Sequence, residues 1–304
     1  MKLKQAQDKA RHLNYFRERG RETLVELQRE YGQRDYKELA SGVNKATQES
    51  ARTVVSSIVS AAEADKWKPE DKVGAILAAT YASYVTMLEL RNEVWPYEYM
   101  AFSRRIGELW EGFVRVVFDN APSGLSYFVP PLFSDVRSNL KQEIGDCIAR
   151  LPLARNQKKE LLKYYEKVWS LVDSGEINLE LDLHFELNRN KTNVDLKSGF
   201  GSNEKGNTNR LLMVATIYRN LEARYKNVLL VRAAEDSNNH YFRTLRDSGV
   251  WEAYCGAEAY AQIGTFTGFD IQLWNNDNLD WPRDLAPATL THFRDSNLLP
   301  YLEW

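Results

Sequence analysis

One segment of the chain alternates apolar and polar residues with a strict period of two, and it constrains the fold more than any other segment. Residues 177–187 read Ile-Asn-Leu-Glu-Leu-Asp-Leu-His-Phe-Glu-Leu. Successive side chains of a β-strand point to opposite faces of the sheet, so this pattern predicts a half-buried strand. After a polar turn at residues 188–193, the run Val194-Asp-Leu-Lys197 predicts a second strand. The two strands are therefore expected to form a hairpin.

Helices are predicted on both sides of this hairpin. Residues 1–100 carry apolar residues at helical spacing throughout. Further helices are predicted at about residues 71–92, 98–118, 134–150, 156–173, 208–225 and 241–247.

Two more apolar segments are predicted to be strands. Residues 227–232 read as a fully buried strand, and residues 269–274 as a last strand before a tail that is mostly loop. The order of elements predicts an α/β fold, in which helices flank a mixed sheet. We expect an all-helical N-terminal region over residues 1–99 and a core over residues 100–304. The core would contain a helical insert at about residues 120–174.

Composition excludes several classes of protein. The 304 residues include 40 Lys and Arg against 42 Asp and Glu, a net charge of −2, so the chain is not a basic nucleic-acid coat. A DNA enzyme stays possible, because only a local basic cleft has to meet phosphates. The two cysteines, Cys147 and Cys255, lie in no Cys-x-x-Cys motif, which argues against a zinc site or a disulfide framework.

The most apolar segment, residues 73–90, is interrupted by Thr80, Ser83, Thr86 and Glu89. These polar residues predict a buried helix and no membrane partner, because a spanning helix needs about 20 nearly unbroken apolar residues. The first residues are charged and lack the apolar core of a signal peptide, so we expect a cytoplasmic protein.

Charged residues on the predicted hairpin form the strongest candidate site. Twelve residues separate Asp182 from Asp195, so a hairpin of this length places the two carboxylates side by side, with Lys197 on the same face. Such a cluster is costly unless a charge compensates it, and a hard divalent cation such as Mg²⁺ does so through oxygen ligands. The alternative is a solvated sheet face with a surface ion pair. Other acid-x-Lys triplets, at residues 35–37 and 70–72, occur in predicted helices and are not part of a hairpin.

The segments Leu181-Asp182 and Asp195-Leu-Lys197 resemble the core of the PD-(D/E)xK nuclease superfamily, as found in type II restriction endonucleases. The resemblance covers roughly residues 100–275. The segment Arg105-Ile-Gly-Glu-Leu-Trp-Glu-Gly-Phe113 is similar to the first core helix of that fold, which often carries a Glu. The sequence departs from the family pattern in having Leu181 where the proline usually stands. The long insert leaves open whether Glu108 or Glu111 would join the site.

The resemblance implies Mg²⁺-dependent hydrolysis of double-stranded DNA at a specific, palindromic sequence, by a homodimer without a nucleotide cofactor. Asp182, Asp195 and the Leu196 carbonyl would bind the metal. Lys197 would orient or deprotonate the attacking water and stabilise the phosphate. The N-terminal helices would form the dimer or clasp DNA. Alternatives are another nuclease on this core, for repair or junction resolution, and a non-catalytic helical interaction protein.

A glycine-rich loop follows the hairpin. Residues 201–208 nearly match a phosphate-binding P-loop, but Asn207 stands in place of the required Lys, which argues against an NTPase. The loop would instead lie near the cleaved DNA or serve as a plain connection. The residues that would contact DNA are Ser198, Asn203, Lys205 and Arg210.

Two further polar residues share the face of Asp182. His184 is predicted to be structural or solvent-facing. Glu186 is expected to lie at the surface or behind the metal ligands, although it could act as a third acid.

Overall fold

The computed structural model describes residues 1–172, 177–201, 204–221 and 225–304, and within these the side chains of residues 169–172 are left aside. The described residues form an α/β fold of thirteen α-helices and one five-stranded mixed sheet. The helices are α1 (Leu3–Ala6), α2 (Lys9–Tyr31), α3 (Tyr36–Ala64), α4 (Pro69–Val94), α5 (Tyr99–Asp119), α6 (Phe133–Arg150), α7 (Arg155–Val172), α8 (Lys205–Arg219), α9 (His240–Arg246), α10 (Ala257–Thr267), α11 (Ile271–Asn278), α12 (Trp281–Asp284) and α13 (Pro287–Asp295). The strands are β1 (Ser126–Tyr127), β2 (Leu183–Leu187), β3 (Asn190–Lys197), β4 (Tyr225–Val231) and β5 (Glu252–Cys255). Short 3-10 helices cover Glu235–Ser237 and Leu299–Leu302.

The strands lie in chain order across the sheet. Strands β1, β2 and β3 pair antiparallel, whereas β3, β4 and β5 pair parallel. Strand β3 is therefore central, with Val194 opposite Leu183 of β2 and Asp195 opposite Leu229 of β4. The parallel pair needs a crossover, which α8 supplies. The predicted α/β class, with a mixed sheet flanked by helices, is confirmed.

Each face of the sheet packs on its own apolar core. The first core lies between the sheet and helices that include α4, α5 and α10. Its sheet residues are Leu183, Phe185, Val194, Leu196, Val228 and Leu230. The second core lies between the opposite face and α8 and α9, and its sheet residues are Leu229, Val231 and Cys255.

Helix α4 is the buried helix that the sequence predicts. Pro69 occupies its first turn together with Glu70 and Asp71, whose charges suit a helix N-terminus. Among the described residues, α4 is the one helix long and apolar enough to cross a membrane. However, 94% of its apolar window is buried inside the protein. Its composition is thus explained by packing within this chain.

The N-terminal helices share a core with the rest of the chain. Leu13 and Phe16 of α2 belong to the same apolar cluster as Leu183 of the sheet. The buried Glu89 accepts hydrogen bonds from Arg17 Nη2 (2.6 Å) and from the Ala286 backbone N–H (2.6 Å). These contacts join α2, α4 and the C-terminal helices, so the apolar core continues across residue 99.

The first predicted strand is wrong in its extent. Strand β2 begins only at Leu183, because side chains take the backbone N–H groups ahead of it. The N–H of Leu181 donates to His184 Nε2 (2.9 Å), and that of Glu180 donates to Asn178 Oδ1 (2.9 Å). Leu179 and Leu181 therefore pack in the second core, whereas the sheet residues Leu183 and Phe185 pack in the first. The alternation of apolar and polar residues thus continues along the sequence, although the apolar side chains change from the second core to the first between Leu181 and Leu183.

The predicted strand at residues 269–274 is also wrong. This segment begins α11, because Asp270 accepts a hydrogen bond from the Leu273 N–H (2.9 Å) as an N-cap. The tail, expected to be mostly loop, contains α12, capped by Asp280, and α13, which begins with Pro287. Strands β1 and β5 are not predicted by the sequence pattern, since two and four residues are too few for a periodic signal.

The other predicted helices agree with the structure to within a few residues, except that α8 ends at Arg219, ahead of β4. Residue 173 of the predicted helix 156–173 lies outside the described residues. The predicted insert contains β1, α6 and α7.

Candidate active site

The hairpin brings the predicted carboxylates and lysine together. Asp182 Oδ2, just ahead of β2, accepts a hydrogen bond from the Leu196 N–H of β3 (2.6 Å). Lys197 Nζ lies 2.6 Å from Asp195 Oδ2. All three charged side chains line a cavity of about 550 Å³. Asp195 and Lys197 share a face because they are two positions apart on a strand.

Asp195 is a buried carboxylate. Its side chain is 2% exposed, and burial raises its pKa to about 6. Lys197 and the more distant Arg210 lower the pKa, whereas the Asp182 charge raises it further. Arg210 Nη2 lies 3.7 Å from Asp195 Oδ1. Although Lys197 forms an ion pair with Oδ2, that oxygen lacks a well-directed hydrogen bond, so the carboxylate is incompletely compensated.

Lys197 is held as an ammonium ion. Burial alone would lower its pKa, but the charges of Asp195, Asp182 and Glu111 outweigh burial and raise it. Nζ also donates a hydrogen bond to the Leu196 carbonyl (3.1 Å). A protonated amine cannot accept a proton, so in this state Lys197 can orient a water molecule or stabilise negative charge. Without bound metal it is therefore not a general base.

Helix α5 carries two glutamates, Glu108 and Glu111, whose charged neighbours differ. Glu108 forms ion pairs with Arg104 (3.0 Å) and Arg105 (2.8 Å) one turn earlier on the same helix. Glu111 is half-buried, and burial followed by the Asp182 charge raises its pKa to about 7. Lys197 lowers that pKa and Asp195 raises it. The structure thus places Glu111, rather than Glu108, in the electrostatic environment of the carboxylate cluster.

The donor atoms at this site are all oxygens. Within the described residues, no three His, Cys, Asp or Glu side chains converge closely enough to hold a metal by themselves. The candidate ligands are therefore Asp182, Asp195 and the Leu196 carbonyl, with Glu111 as a further acid nearby. Burial is the main cause of the raised pKa values of Asp195 and Glu111, and the charge of Asp182 adds to it. An oxygen set of this size fits Mg²⁺, which keeps several waters and uses one or two carboxylates.

His184 positions the residues ahead of Asp182. Because Nε2 accepts the Leu181 N–H, Nδ1 must carry the proton and donate to Asn193 Oδ1 (2.8 Å). Asn193 Nδ2 in turn donates to Asn227 Oδ1 (2.9 Å). Burial lowers the pKa of His184, consistent with a neutral ring. The structural role predicted for His184 agrees with these contacts.

Glu186 lies at the far end of β2. Its register partners are Lys191 of β3 and Ser126 of β1. Glu186 is four positions from Asp182, so it lies further along the strand than the predicted metal ligands.

The residues predicted to contact DNA lie in different surroundings. Arg210 of α8 lines the same cavity as Asp182 and Asp195. Ser198 Oγ accepts hydrogen bonds from Arg232 Nε (3.2 Å) and Nη2 (2.9 Å). Lys205 is the exposed first residue of α8. Asn203 lies outside the described residues.

A second, larger groove meets the cavity at Lys197. It has a volume of about 1,450 Å³ and is lined by Glu111, Lys197 and Ser198. Arg232 also lines this groove, and its guanidinium donates to the Tyr301 and Glu303 carbonyls (2.9 and 2.8 Å).

Sequence reasoning missed two arginines at the site. Arg232 follows the buried strand β4 directly, and a charged residue at the carboxyl end of a parallel strand is a usable signal. Arg115 of α5 lines the smaller cavity, and the sequence carries no comparable signal for it.

Comparisons of the chain with protein-family models, with curated proteins and with solved structures find no match in any of the three.

Proposed function

We propose that the protein is a Mg²⁺-dependent endonuclease of the PD-(D/E)xK type that cuts double-stranded DNA at a specific sequence, as type II restriction enzymes do. The convergence of Asp182, Asp195 and Lys197 at one edge of the β2–β3 hairpin carries the proposal. The charge of Asp182 raises the pKa of both Asp195 and Glu111, so bringing these carboxyl groups together costs free energy that Lys197 offsets only in part.

The order of elements supports the same proposal. Helix α5 precedes the hairpin β2–β3, α8 follows it, and β4 then pairs parallel to β3. This is the order of helix, hairpin, helix and buried strand that the resemblance implies. Helix α5 also brings Glu111 toward the acids, as the first helix of that core would.

Bound Mg²⁺ would lower the pKa of a coordinated water and neutralise charge on the leaving oxygen. Asp182, Asp195 and the Leu196 carbonyl would hold the metal. Lys197, as an ammonium ion, would orient the attacking water and bind a non-bridging phosphate oxygen. Arg210 lies 3.7 Å from Asp195 and could contact the same phosphate.

Two grooves that meet at Lys197 provide a route for the DNA backbone. Arg115 and Arg210 line the smaller cavity, and the exposed Arg104 lines the larger groove. A chain of net charge −2 needs such local basic groups to bind phosphates.

The test is incubation of the purified protein with several plasmid and phage DNAs, in Mg²⁺ and in EDTA. We expect discrete, Mg²⁺-dependent fragments whose ends define the recognition sequence. Cutting that depends on DNA structure instead of sequence would indicate a repair or junction-resolving nuclease. Intact DNA, together with a melting temperature that Mg²⁺ leaves unchanged, would reject the nuclease and favour the non-catalytic interaction protein.

The substitution Lys197→Ala tests the assigned site. It should lower cleavage by about 10³-fold while DNA binding, measured in Ca²⁺ or EDTA, is retained. Lys226→Ala is the matched control, because Lys226 lies on neighbouring β4 in an exposed ion pair with Glu252 (3.6 Å). Full cleavage by Lys197→Ala would remove Lys197 from the mechanism.

A further inference from the structure

Three side chains of the larger groove have polar atoms that are buried and lack hydrogen-bond partners. Asn275 of α11 is 4% exposed, and neither its Nδ2 nor its Oδ1 has a partner within the described residues. The indole Nε1 atoms of Trp281, which is 5% exposed, and of the half-buried Trp304 have none there either. Asn275, Trp281 and Trp304, the three groove residues, all line the groove of about 1,450 Å³. Because an unpaired buried polar group costs free energy, such a set points to a ligand.

Side chains of the same kinds that do not line this groove have found partners within the chain. Trp251 Nε1 donates a hydrogen bond to the Leu211 carbonyl (3.1 Å). The buried Asn227 uses both ends of its carboxamide, since Oδ1 accepts from Asn193 Nδ2 (2.9 Å) and Nδ2 donates to the Ala215 carbonyl (3.2 Å). The three groove residues therefore differ from these examples in facing a space that a ligand can enter.

Packed rings hold the two indoles of the groove in place. The rings of Trp281 and Trp304 meet nearly edge to face, with centroids 5.2 Å apart and planes at 74°. Tyr81 packs edge-on against Trp281 (4.7 Å), and Phe113 contacts Trp304 (5.3 Å). Turning either indole N–H toward another partner would break this packing. The site is therefore largely preformed, as small-ligand sites usually are.

The unpaired atoms define what the ligand must offer. The Asn275 carboxamide presents a donor and an acceptor in one plane, and each indole adds one donor. A donor beside an acceptor is also what the edge of a nucleobase presents, which is why an Asn side chain can bind adenine through two hydrogen bonds. Extruded bases are bound by such hydrogen bonds together with aromatic side chains. None of the three groove residues is charged, which suits a neutral ring better than an ion.

The same groove also has room for the sugar and phosphate of a nucleotide. Its volume of about 1,450 Å³ exceeds the ~300–1,000 Å³ of pockets that enclose a whole small ligand. Lys197, to which the proposed function assigns a phosphate contact, lines the groove, as does the exposed Arg104. A ligand that joins a neutral base to a phosphate therefore matches the groove.

We propose that Asn275, Trp281 and Trp304 form a binding site for a single unpaired nucleobase. The base is supplied either by DNA, from which it is turned out of the helix, or by a free nucleotide, and both present the same edge to Asn275. The DNA source rests on the proposed function, because it requires DNA in the groove. The free-nucleotide source does not.

The first experiment measures binding in EDTA, so that cleavage does not enter. One arm compares the four 5′-mononucleotides with deoxyribose 5-phosphate, which lacks a base. The other arm compares a duplex that carries one bulged nucleotide with the same duplex whose bulged position is abasic. We expect binding at least about tenfold tighter when the base is present, and the arm that shows it identifies the source. If neither arm shows a preference for the base, ordered water satisfies the groove residues and the proposal is overturned.

The substitution Asn275→Leu tests the assigned residue. It removes both unpaired atoms at nearly constant size, so the preference for the base should fall at least about tenfold. The melting temperature should stay equal or rise, because the removed atoms have no partners within the chain. Asn139→Leu on α6 is the matched control, since Asn139 is exposed and does not line the groove, and it should bind as the wild type does. A retained preference for the base, or a lower melting temperature, would overturn the assignment.

A second variant, Trp304→Phe, removes one indole N–H and keeps an aromatic ring in a half-buried position. It should weaken base-dependent binding while the protein stays folded, and unchanged binding would remove Trp304 from the site. These outcomes are distinguishable from failure of the proposed function. Mg²⁺-dependent cleavage without a preference for the base would keep the nuclease and reject the base site. Base-dependent binding without cleavage would keep the base site and reject the nuclease.

Discussion

The two faces of the five-stranded sheet are buried to a similar degree but differ in chemistry. The face toward α4 and α5 carries apolar residues such as Phe185 and Val194, which are fully buried. The opposite face mixes apolar residues with His184, Asn193 and Asp195, which are also buried. Burial stabilises the fold on the first face, whereas on the second it costs free energy for every charge that is not fully paired.

This difference is what the proposed active site would require. A sheet that only needed a core would place apolar residues on both faces, as the strand patterns of buried sheets do. The buried charge of Asp195 is instead retained, with a raised pKa and an oxygen that lacks a directed hydrogen bond. Substitutions on the apolar face should therefore lower stability and leave activity unchanged. Substitutions on the polar face should lower activity and leave stability equal or higher.

The largest expected effect is on activity at the polar face. Asp195→Asn removes a proposed metal ligand and should lower cleavage at least about 10³-fold. The same change removes a buried charge, so the free energy of unfolding at pH 7.5 should stay equal or rise. Plasmid cleavage and urea denaturation measure the two quantities. An active Asp195→Asn protein would place the metal elsewhere.

The apolar face should show the reverse. Phe185 is fully buried and packs against Phe118 and Phe266. Phe185→Ala should lower the free energy of unfolding by about 3–5 kcal/mol, because it leaves a cavity in the first core. The protein that stays folded should cleave DNA at a rate near that of the wild type. A loss of activity without a loss of stability would show that the two faces are not separable.

The local part of this arrangement is predictable from the sequence. A strand places residues two apart on one face, so spacing alone pairs Asp195 with Lys197 correctly. The choice between Glu108 and Glu111 is not predictable, because it depends on which turn of α5 approaches β3. Nor is the change of face at Leu181, since the alternation continues there and only the bond to His184 reveals it. For residues 269–274, the N-cap at Asp270 decides for a helix, although alternation favours a strand.

A smaller effect is expected in the pH dependence of stability without metal. The folded pKa of Asp195 is about 6, above the value near 3.9 of an unfolded chain. Between these values the native state binds more protons than the unfolded state, so stability falls as pH rises from about 4 to 6. The loss is at most about 3 kcal/mol, and Glu111 with its pKa of about 7 extends it to higher pH.

Denaturation curves of the wild type and of Asp195→Asn across this pH range measure the effect. The variant should lose less stability between pH 4 and 6 than the wild type. Mg²⁺ should restore stability at pH 7.5 in the wild type only. If stability changed equally with pH in the two proteins, the ionised carboxylate of Asp195 would not destabilise the native state.

The smallest effect distinguishes the two glutamates of α5. The apolar residues of this helix pack on the first face of the sheet, whereas Glu111 lies close enough to Asp182 and Asp195 for their charges to raise its pKa. Glu111→Gln should reduce cleavage about tenfold, as is usual for groups that support a metal site from outside the main ligands. Glu108→Gln should leave cleavage within about twofold, because Glu108 is engaged with Arg104 and Arg105. Since exposed ion pairs contribute little, Glu108→Gln should not alter stability by more than about 1 kcal/mol. If the two variants cleave at equal rates, neither glutamate supports the metal site, which then consists of hairpin residues alone. A larger loss with Glu108→Gln would mean that Glu108, and not Glu111, supports the metal when DNA is bound.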